Sequence, residues 1–223
     1  MSTLLLRLAA PLQSWGGESK FDRRMTERYP TKSGVTGLLA AALGLSRNAP
    51  LAWQGFDLCA LRMGVRIDRQ GELLRDYQTV KSKKSAYVTE RYYLADAVFL
   101  VGVEGDDALL TELDQALSHP VYPLFLGRRS CPPEGRVSLG IREGLSLEDA
   151  LRLETPLADS GHLVPMLTES QDLNETAIFV RDLPVSFDPA HRQYRKRRLR
   201  EAFVTLPNAE PATEHDPLAE LEV

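Results

Sequence analysis

The segment from residue 28 to residue 34 carries side chains that could bind an anion. Two cations, Arg28 and Lys32, lie beside the hydroxyls of Thr31 and Ser33, and Gly34 would let a ligand backbone come close. An apolar run follows directly, so the segment would open a helix. The first N–H groups of a helix have no partner within it and attract negative charge. The pattern therefore predicts an anion site at a helix N-terminus.

This segment has two alternative interpretations, and the sequence excludes the first. A nucleotide-binding P-loop needs Gly-x-x-x-x-Gly-Lys-Ser/Thr, and here the lysine precedes the glycines, which excludes that motif. The remaining alternative is a capped core helix, with Thr31 or Ser33 as the cap and small residues that allow close packing. Leu38, Leu39 and the residues that follow leave the helix no polar face, so most of its sides must be covered.

Apolar patterns around this helix predict the element order β-α-β-β-α-β. Strands are expected at residues 3–8, 61–67, 94–103 and 122–126, and helices at residues 31–44 and 107–118. Asp106 would cap the second helix. Arg62 and Arg66 would lie together on the polar face of the second strand. The fold class is α+β, with the ferredoxin-like or split βαβ motif that RNA-recognition domains also use.

The connection between the second and third strands, residues 71–93, is much longer than a hairpin requires. It interleaves basic and aromatic side chains, namely Arg75, Tyr77, Lys81, Lys83, Lys84, Tyr87, Arg91, Tyr92 and Tyr93. Loops of this length commonly carry function. The mixture suits single-stranded nucleic acid, because cations pair with phosphates and rings stack on bases. The alternative is a solvated hairpin whose tyrosines pack locally.

Further basic residues lie outside this insertion. Arg24 belongs to a basic group before the first helix, and Arg128, Arg129 and Ser130 follow a glycine as a second candidate phosphate contact. The first domain is expected to span residues 1–145, and a small β-rich unit residues 146–206, with strands expected at 176–180 and 185–187. Within that unit residues 188–200 concentrate six basic side chains, which either bind RNA or a partner or form a charged surface. Residues 207–223 carry five acidic residues and few apolar anchors, which predicts a disordered tail.

The 223 residues have a formal net charge of −4, but the charges are unevenly placed. Residues 1–100 hold 15 Lys and Arg against 9 Asp and Glu, whereas residues 101–223 hold 12 against 22. A basic half indicates a polyanion partner on one face. Cys59 and Cys131 are too few for a disulfide framework and lack metal-ligand spacing, so free thiols are expected. No signal peptide or long apolar run occurs, so we expect a cytoplasmic protein without a membrane segment.

Motifs for catalysis are missing. The four histidines are scattered, none of them within residues 1–100, and no zinc spacing or Gly-x-Ser-x-Gly turn occurs. The sequence therefore predicts a binding protein without a metal or cofactor.

Four stretches, taken in order, resemble one known family. They are Leu-Ala-Ala-Pro-Leu-Gln-Ser-Trp-Gly at 8–16, Tyr-Pro-Thr-Lys-Ser-Gly opening 29–44, Leu-Arg-Asp-Tyr-Gln-Thr-Val at 74–80, and Leu-Gly-Arg-Arg-Ser-Cys-Pro at 126–132. Together they resemble the CasD subunits of type I-E CRISPR Cascade complexes. The likeness covers about residues 4–133 and weakens beyond residue 180. The basic segment at 192–200 and the acidic tail are not features of the resemblance.

The resemblance implies a non-catalytic RNA-binding subunit of a ribonucleoprotein complex that defends against foreign DNA. An RNA-recognition-like domain with an inserted thumb would hold the 5′ handle of the CRISPR RNA, between the CasC backbone and the large subunit. Target DNA would be met only through the complex. The implied RNA-binding residues are Arg24, Arg28, Thr31, Lys32, Ser33, Gly34, Arg128, Arg129 and Ser130. The thumb residues implied to contact RNA and CasC are Tyr77, Lys81, Lys83, Lys84, Arg91 and Tyr92.

RNA cleavage and protein-only scaffolding are the two alternative functions. In a related CRISPR subtype the equivalent subunit cuts precursor RNA without metal, using tyrosine, lysine and histidine. Tyr77, Lys83, Lys84 and Tyr87 would supply only part of that set, because no histidine precedes His119. A scaffold that binds only proteins is disfavoured by the basic N-terminal half. Binding of RNA is therefore expected rather than its cleavage.

Overall fold

The computed structural model of the protein describes residues 1–16, 23–81, 86–159, 163–170, 172 and 174–206. Lys83, Lys84 and the predicted tail at 207–223 therefore lie outside the described residues. The fold is mixed α+β, as predicted. The helices are α1 (Lys32–Ala42), α2 (Asp107–Ser118) and α3 (Leu147–Leu153). The strands are β1 (Ser2–Ala9), β2 (Leu12–Gln13), β3 (Trp15–Gly16), β4 (Arg23–Arg24), β5 (Thr26–Glu27), β6 (Ala52–Trp53), β7 (Phe56–Asp57), β8 (Arg62–Arg69), β9 (Glu72–Lys81), β10 (Ala86–Ala95), β11 (Val98–Gly105), β12 (Ser138–Arg142), β13 (Leu163–Glu169), β14 (Ile178–Ser186) and β15 (Gln193–Thr205).

A seven-stranded sheet in the order β12-β1-β11-β8-β13-β15-β14 forms the scaffold, and all its neighbouring strands are antiparallel. Successive side chains of β1 point to opposite faces. Leu4, Leu6 and Leu8 pack in the core that also contains α1 and α2, whereas Leu5 packs with Leu100 and α3. Because both faces of β1 are covered, its sequence is a continuous apolar run rather than an alternating one. Each helix in the described residues is too short or too polar to span a bilayer.

The fourth strand of the predicted domain is β12, and the prediction of a strand at residues 122–126 is wrong. The N–H groups of Val121 and Tyr122 donate to the carbonyl oxygens of Ala42 and Ala41, at 3.0 and 3.2 Å. These carbonyls belong to the last turn of α1, where no later N–H of the helix itself can bond to them; the Ala41 carbonyl also accepts from the Gly44 N–H at 3.1 Å. Pro123 has no N–H to give to a ladder. The segment therefore caps α1 instead of pairing in the sheet.

The predicted third strand, residues 94–103, is two strands separated by a turn. β10 ends at Ala95 and β11 begins at Val98. Asp96 lies between them with a positive φ of 55°, and its N–H donates to the carbonyl of Pro11 at 3.1 Å. This turn allows β10 to leave the main sheet and pair with β9, so that β9 and β10 form a hairpin inserted between β8 and β11.

The C-terminal strands continue the main sheet and do not form a sheet of their own. Met166 of β13 pairs with Arg66 of β8, and β15 and β14 follow outward from β13. The two short strands predicted at 176–180 and 185–187 are one strand, β14, whose register with β15 shifts twice. The polar residues Arg181 and Asp182 interrupt the apolar pattern at the first shift, which is why one strand reads as two.

Arg62 and Arg66 share one face of β8, as predicted, but this face is covered rather than exposed. The Arg66 side chain is fully buried, and its Nε and Nη2 lie 2.7 and 2.9 Å from the two carboxylate oxygens of Asp68. Its Nη1 and Nη2 also donate to carbonyl oxygens of residues 151, 154 and 155. The other arginine, Arg62, pairs with Glu104 and Glu148. Buried charges persist only when paired, so both arginines hold α3 against the sheet.

Candidate nucleic-acid interface

The N-terminus of α1 is occupied by groups of the protein itself. Of the two predicted caps, Thr31 is the one used, and its Oγ1 accepts a hydrogen bond from the Gly34 N–H at 3.2 Å. The Lys32 N–H donates to Oδ2 of Asp182 at 2.8 Å. A carboxylate from β14 thus takes the place at the positive end of the helix where a bound phosphate was predicted.

The side chain of Lys32 is buried in an ion-pair network, which contradicts its predicted role as a phosphate contact. Its Nζ lies 2.8 Å from Oε1 of Glu169, and the two side chains are only 6% and 13% exposed. Arg197 places Nη1 3.0 Å from the same carboxylate and Nε 2.6 Å from Oδ1 of Asp182. Two cations and two carboxylates therefore satisfy one another, and the network joins α1 to β13, β14 and β15.

Gly34 is required by packing. A Cβ at this position would lie 2.8 Å from Cε3 of Trp15, closer than real contacts allow, and 3.1 Å from Oγ1 of Thr31. Trp15 is fully buried, so it fills the core beside the helix. Ser33 is half-buried, with its Oγ 3.4 Å from Oγ1 of Thr31. In the predicted anion site, Arg28 is the residue with an exposed side chain, and the capped core helix is the interpretation that the contacts support.

The β9–β10 hairpin presents two faces of different chemistry. Tyr77 pairs with Glu90 and Asp76 with Arg91, so alternate positions fall on opposite faces. β4 adds to β10 in parallel, with Arg23 beside Glu90 and Arg24 beside Arg91. We define the Glu90 face as the face that carries Arg23, Leu73, Arg75, Tyr77, Val88, Glu90 and Tyr92. We define the Arg91 face as the face that carries Arg24, Leu74, Asp76, Gln78, Tyr87, Arg91 and Tyr93.

Charges on the Glu90 face are paired with one another. Nε of Arg23 lies 3.0 Å from Oε2 of Glu90, Nη2 of Arg75 binds the other oxygen, and the Tyr92 hydroxyl donates to Oε2 at 3.2 Å. The hydrogen bond from Arg23 lowers the pKa of Glu90 below its usual value; burial opposes this effect and Arg75 adds to it. Tyr77, with Arg75 6.0 Å from its ring centroid, is 59% exposed. This face therefore combines internally paired charges with an exposed ring.

Arg128 holds the base of the Arg91 face together. Its Cζ lies 4.6 Å from the ring centroid of Tyr93, and its Nη1 and Nη2 donate to the carbonyls of Tyr92 and Arg24 at 3.2 and 2.9 Å. The arginine enters from the turn at Gly127, which has a φ of +86° and where a Cβ would lie 1.5 Å from the Ser14 carbonyl oxygen. Half-buried and bonded in this way, Arg128 positions the neighbouring groups.

The Arg91 face carries cations that lack carboxylate partners. Nε of Arg91 is buried without a hydrogen-bond partner in the described part of the chain, and Asp76 opposite it accepts from Nε2 of Gln78 at 2.9 Å. Arg24 of this face is exposed, as is Arg129, which follows Arg128 in the chain, and neither forms an ion pair within the described residues. The charges of Arg24, Arg91 and Arg129 are therefore not neutralised by a carboxylate of the described residues.

The remaining predicted contacts surround this face or extend along the hairpin. Arg28 is exposed and lies beside the entry to β9, because Nε2 of Gln70 donates to its carbonyl at 3.0 Å. Lys81 and Ser130 are exposed. Tyr87, on the Arg91 face, is 51% exposed. The sequence-based prediction does not divide the basic and aromatic residues of the hairpin between its two faces. The alternation of side chains along β9 and β10, with a period of two residues, separates them.

No group of three or more His, Cys, Asp or Glu side chains that could hold a metal ion occurs among the described residues. The Arg91 face thus offers arginines and the exposed ring of Tyr87 on the sheet formed by β4, β10 and β9. Such a combination is typical of proteins that bind nucleic acid through phosphates and bases.

Comparison with known proteins gives the same class. The chain belongs to the CRISPR-associated protein (Cas_Cas5) family, whose model matches residues 3–200. It is 35% identical to the CRISPR system Cascade subunit CasD of Escherichia coli (strain K12) over 170 residues, which cover 67% of this chain and 75% of that protein. The predicted family resemblance is thereby confirmed.

Solved structures agree over a longer stretch. A Cas protein known from a crystal structure is 40% identical and superimposes with a TM-score of 0.73, covering 92% of this chain and 97% of the other. A chain of a CRISPR RNA-guided surveillance complex is 33% identical with a TM-score of 0.74, covering 95% of each chain. The C-terminal strands are included in both matches, although the sequence motifs end near residue 133.

Proposed function

We propose that this chain is a non-catalytic, RNA-binding subunit of a Cascade complex in CRISPR antiviral defence, and that it holds the 5′ handle of the CRISPR RNA. The observation that carries the proposal is the match to CasD and, over 95% of both chains, to a chain of a CRISPR RNA-guided surveillance complex. Such a complex of protein and RNA would act in the cytoplasm. The chain would join the CasC backbone to the large subunit and would meet target DNA through the complex.

The proposal includes a finer description of the fold. Numbered by their order in the chain, the four strands of β12-β1-β11-β8 stand in the order fourth, first, third, second, with α1 and α2 in the two crossovers. This is the order of an RNA-recognition-like, ferredoxin-like βαββαβ domain. The β9–β10 hairpin interrupts the domain between its second and third strands, and we assign it as the thumb.

The Arg91 face is the surface that we assign to the handle. Arg24, Arg91 and Arg129 would contact phosphates, since their guanidinium groups have no carboxylate partner in the described residues and bind phosphate oxygens in a fork geometry. Tyr87 would offer its exposed ring to a base. Arg128 would act by positioning Arg24 and Tyr93. Thr31, Lys32 and Gly34 have no part in this revised site, because they cap, pair and pack within the protein.

The Glu90 face is the surface that we assign to the neighbouring CasC subunit. Leu73 and Tyr77 are 54% and 59% exposed, and Val88 is 38% exposed. The charges beside them are paired through Glu90 and would not be left unpaired by contact with another protein. Exposed apolar side chains and aromatic rings with few free charges are typical of the centre of a protein interface.

Handle binding is tested by comparing two double variants that each lose two arginines. Arg24→Gln with Arg91→Gln removes cations of the Arg91 face, whereas Arg47→Gln with Arg152→Gln removes the same charge from the loop after α1 and from α3. With the chain reconstituted on CasC, affinity for handle RNA is measured across a salt series. The first variant should bind more weakly. The slope of its log affinity against log salt concentration, the salt slope, should be smaller in magnitude by up to about two. Equal affinity and slope for both variants would exclude the Arg91 face.

Incubation of the chain with labelled precursor RNA in chelator provides the companion test. We expect no cleavage. A single defined cut would replace the binding function by metal-independent RNA processing, and His119 or His191 would then be the first residues to substitute.

A further inference from the structure

A second hairpin, formed by β14 and β15, closes the outer edge of the main sheet, and its turn end is strongly basic. We define the hairpin-end cluster as Arg181, Arg192, Arg195 and Lys196. All four side chains are exposed. Nε of Arg181 donates to the carbonyl of Tyr194 at 3.3 Å, and Arg195 pairs with Leu183 across the ladder, so both strands contribute to this end of the hairpin.

Only part of the basic segment at 188–200 belongs to this cluster. Arg197 is buried in the network with Asp182 and Glu169. Arg198 donates from Nη2 to the carbonyl of Glu175 at 2.8 Å, and Arg200 places Nη1 3.1 Å from Oε1 of the same residue. These three arginines therefore stabilise the protein. The other three basic residues of the segment remain at the surface.

Among the described residues, the cluster has no acidic partner. In the part of the chain that the structure describes, no carboxylate forms an ion pair with any of its four members. Asp188 is the one acidic residue between positions 183 and 196, and its carboxylate accepts from the Ala190 N–H at 2.8 Å and lies 4.0 Å from Nδ1 of His191. Four positive charges at the turn end of one hairpin create a local field that favours a polyanion.

This surface differs from the Arg91 face because no Phe, Tyr or Trp ring between Arg181 and Lys196 is exposed. The exposed ring of Phe179 lies at the end of β14 away from the turn, with Arg198 6.0 Å from its centroid. Tyr194 and Phe187 are half-buried, and Phe187 lies against α1, where a Cβ at Gly37 would come within 3.7 Å of its ring. Single-stranded nucleic acid is usually held by rings that stack on its bases as well as by cations. In a duplex the bases already stack on one another, and cations alone bind the backbone without reading the sequence.

We propose that the hairpin-end cluster binds the phosphodiester backbone of duplex nucleic acid, independently of the sequence and separately from the RNA on the Arg91 face. The protein would then touch duplex DNA directly rather than only through its complex. The inference rests on the contacts of β14 and β15. It does not depend on which nucleic acid the Arg91 face binds.

The test uses the full-length chain and a triple variant, Arg192→Gln, Arg195→Gln and Lys196→Gln. Arg181 stays, because its Nε bonds the backbone of Tyr194. A control variant loses three exposed arginines elsewhere, through Arg47→Gln, Arg136→Gln and Arg152→Gln. Fluorescence anisotropy with a short DNA duplex of unrelated sequence, and separately with single-stranded handle RNA, is measured across a salt series. Circular dichroism checks the fold, and Lys196→Gln alone is the fallback if the triple variant unfolds.

We expect the triple variant to bind duplex DNA more weakly than the control does, with a salt slope reduced by up to about three, and to lose less affinity for handle RNA. Duplex binding equal to that of the control variant would overturn the proposal. Equal losses for duplex and handle RNA would overturn it as well, since the surface would then not distinguish the two. The Arg24→Gln/Arg91→Gln variant separates this outcome from the handle assignment, because it should weaken handle RNA and leave duplex binding unchanged.

Discussion

Asp182 accepts a hydrogen bond from the backbone N–H of Lys32 at 2.8 Å, across 150 positions of sequence. The same carboxylate binds Nε and Nη2 of Arg197 at 2.6 and 2.8 Å. One side chain of β14 thus joins the first helix to the last strand. This contact explains how the C-terminal strands become part of the scaffold, and why the N-terminus of α1 is closed to an outside anion.

Substitution of Asp182 should destabilise the whole fold. Asp182→Ala leaves the Lys32 N–H and the buried Arg197 guanidinium without their acceptor, and breaking a buried pair in this way costs about 3–5 kcal/mol. Urea unfolding followed by circular dichroism measures the loss. Asp188→Ala, at the turn of the same hairpin, is the matched control and should change the free energy of unfolding by less than about 1 kcal/mol. Equal midpoints for the two variants would contradict the role of Asp182.

Lys32 and Arg24 should behave oppositely in RNA binding, although both were predicted as phosphate contacts. Lys32→Ala removes the buried partner of Glu169 and should lower the free energy of unfolding by about 1.5–3 kcal/mol. The salt slope for binding of handle RNA by this variant should equal that of the wild-type protein. Arg24→Ala should leave stability unchanged and reduce the slope by about one. A reduced slope for the Lys32 variant, measured well below its unfolding midpoint, would restore the original prediction.

The local elements were predictable and their partners were not. α2 and its Asp106 cap follow from helical spacing within a dozen residues, and the structure has them at those positions. The partner of Lys32, Glu169, lies 137 positions away, and the segment that covers Arg66 begins 85 positions away. The spacing of residues in the sequence does not predict which distant segments come into contact. Exposed and buried cations therefore cannot be distinguished from the sequence pattern. The basic insertion could be recognised, whereas its division into two faces required the register of β9 and β10.

Two glycines of α1 provide a matched pair for the packing argument. Gly34→Ala would place a Cβ 2.8 Å from Trp15, and overpacking of this kind costs about 1–3 kcal/mol. At Gly37 a Cβ would meet Phe187 at an ordinary 3.7 Å, so Gly37→Ala should stabilise the protein by about 0.4–1 kcal/mol. Thermal unfolding and the fluorescence of Trp15 and Trp53 measure both variants. Equal changes would show that Trp15 does not restrict position 34.

The β9–β10 hairpin should lose stability in acid, because the ion pairs of the Glu90 face need Glu90 in its charged form. The pKa of Glu90 lies below its usual 4.5, chiefly because of the hydrogen bond from Arg23. A carboxyl whose pKa is lower in the folded state contributes stability above its unfolded pKa and loses it as the pH falls through the folded pKa. The hairpin amides should therefore exchange with solvent faster, relative to the intrinsic rate, as the pH falls below 4.5. Glu90→Gln should remove this pH dependence; if it persists, other carboxyls are responsible.

The two faces of the β9–β10 hairpin should respond to different substitutions. Tyr87 is exposed on the Arg91 face, and loss of a stacked base through Tyr87→Ala should weaken handle RNA by about 1–3 kcal/mol. Tyr77 is exposed on the Glu90 face, and Tyr77→Ala should weaken assembly with CasC, where a buried aromatic anchor is worth about 2 kcal/mol or more. RNA affinity is measured with the isolated chain, and assembly by sedimentation with CasC. Each variant serves as the control of the other, since both remove one exposed tyrosine from the same hairpin. If Tyr77→Ala weakens RNA as much as Tyr87→Ala does, the division of the hairpin between RNA and protein is wrong.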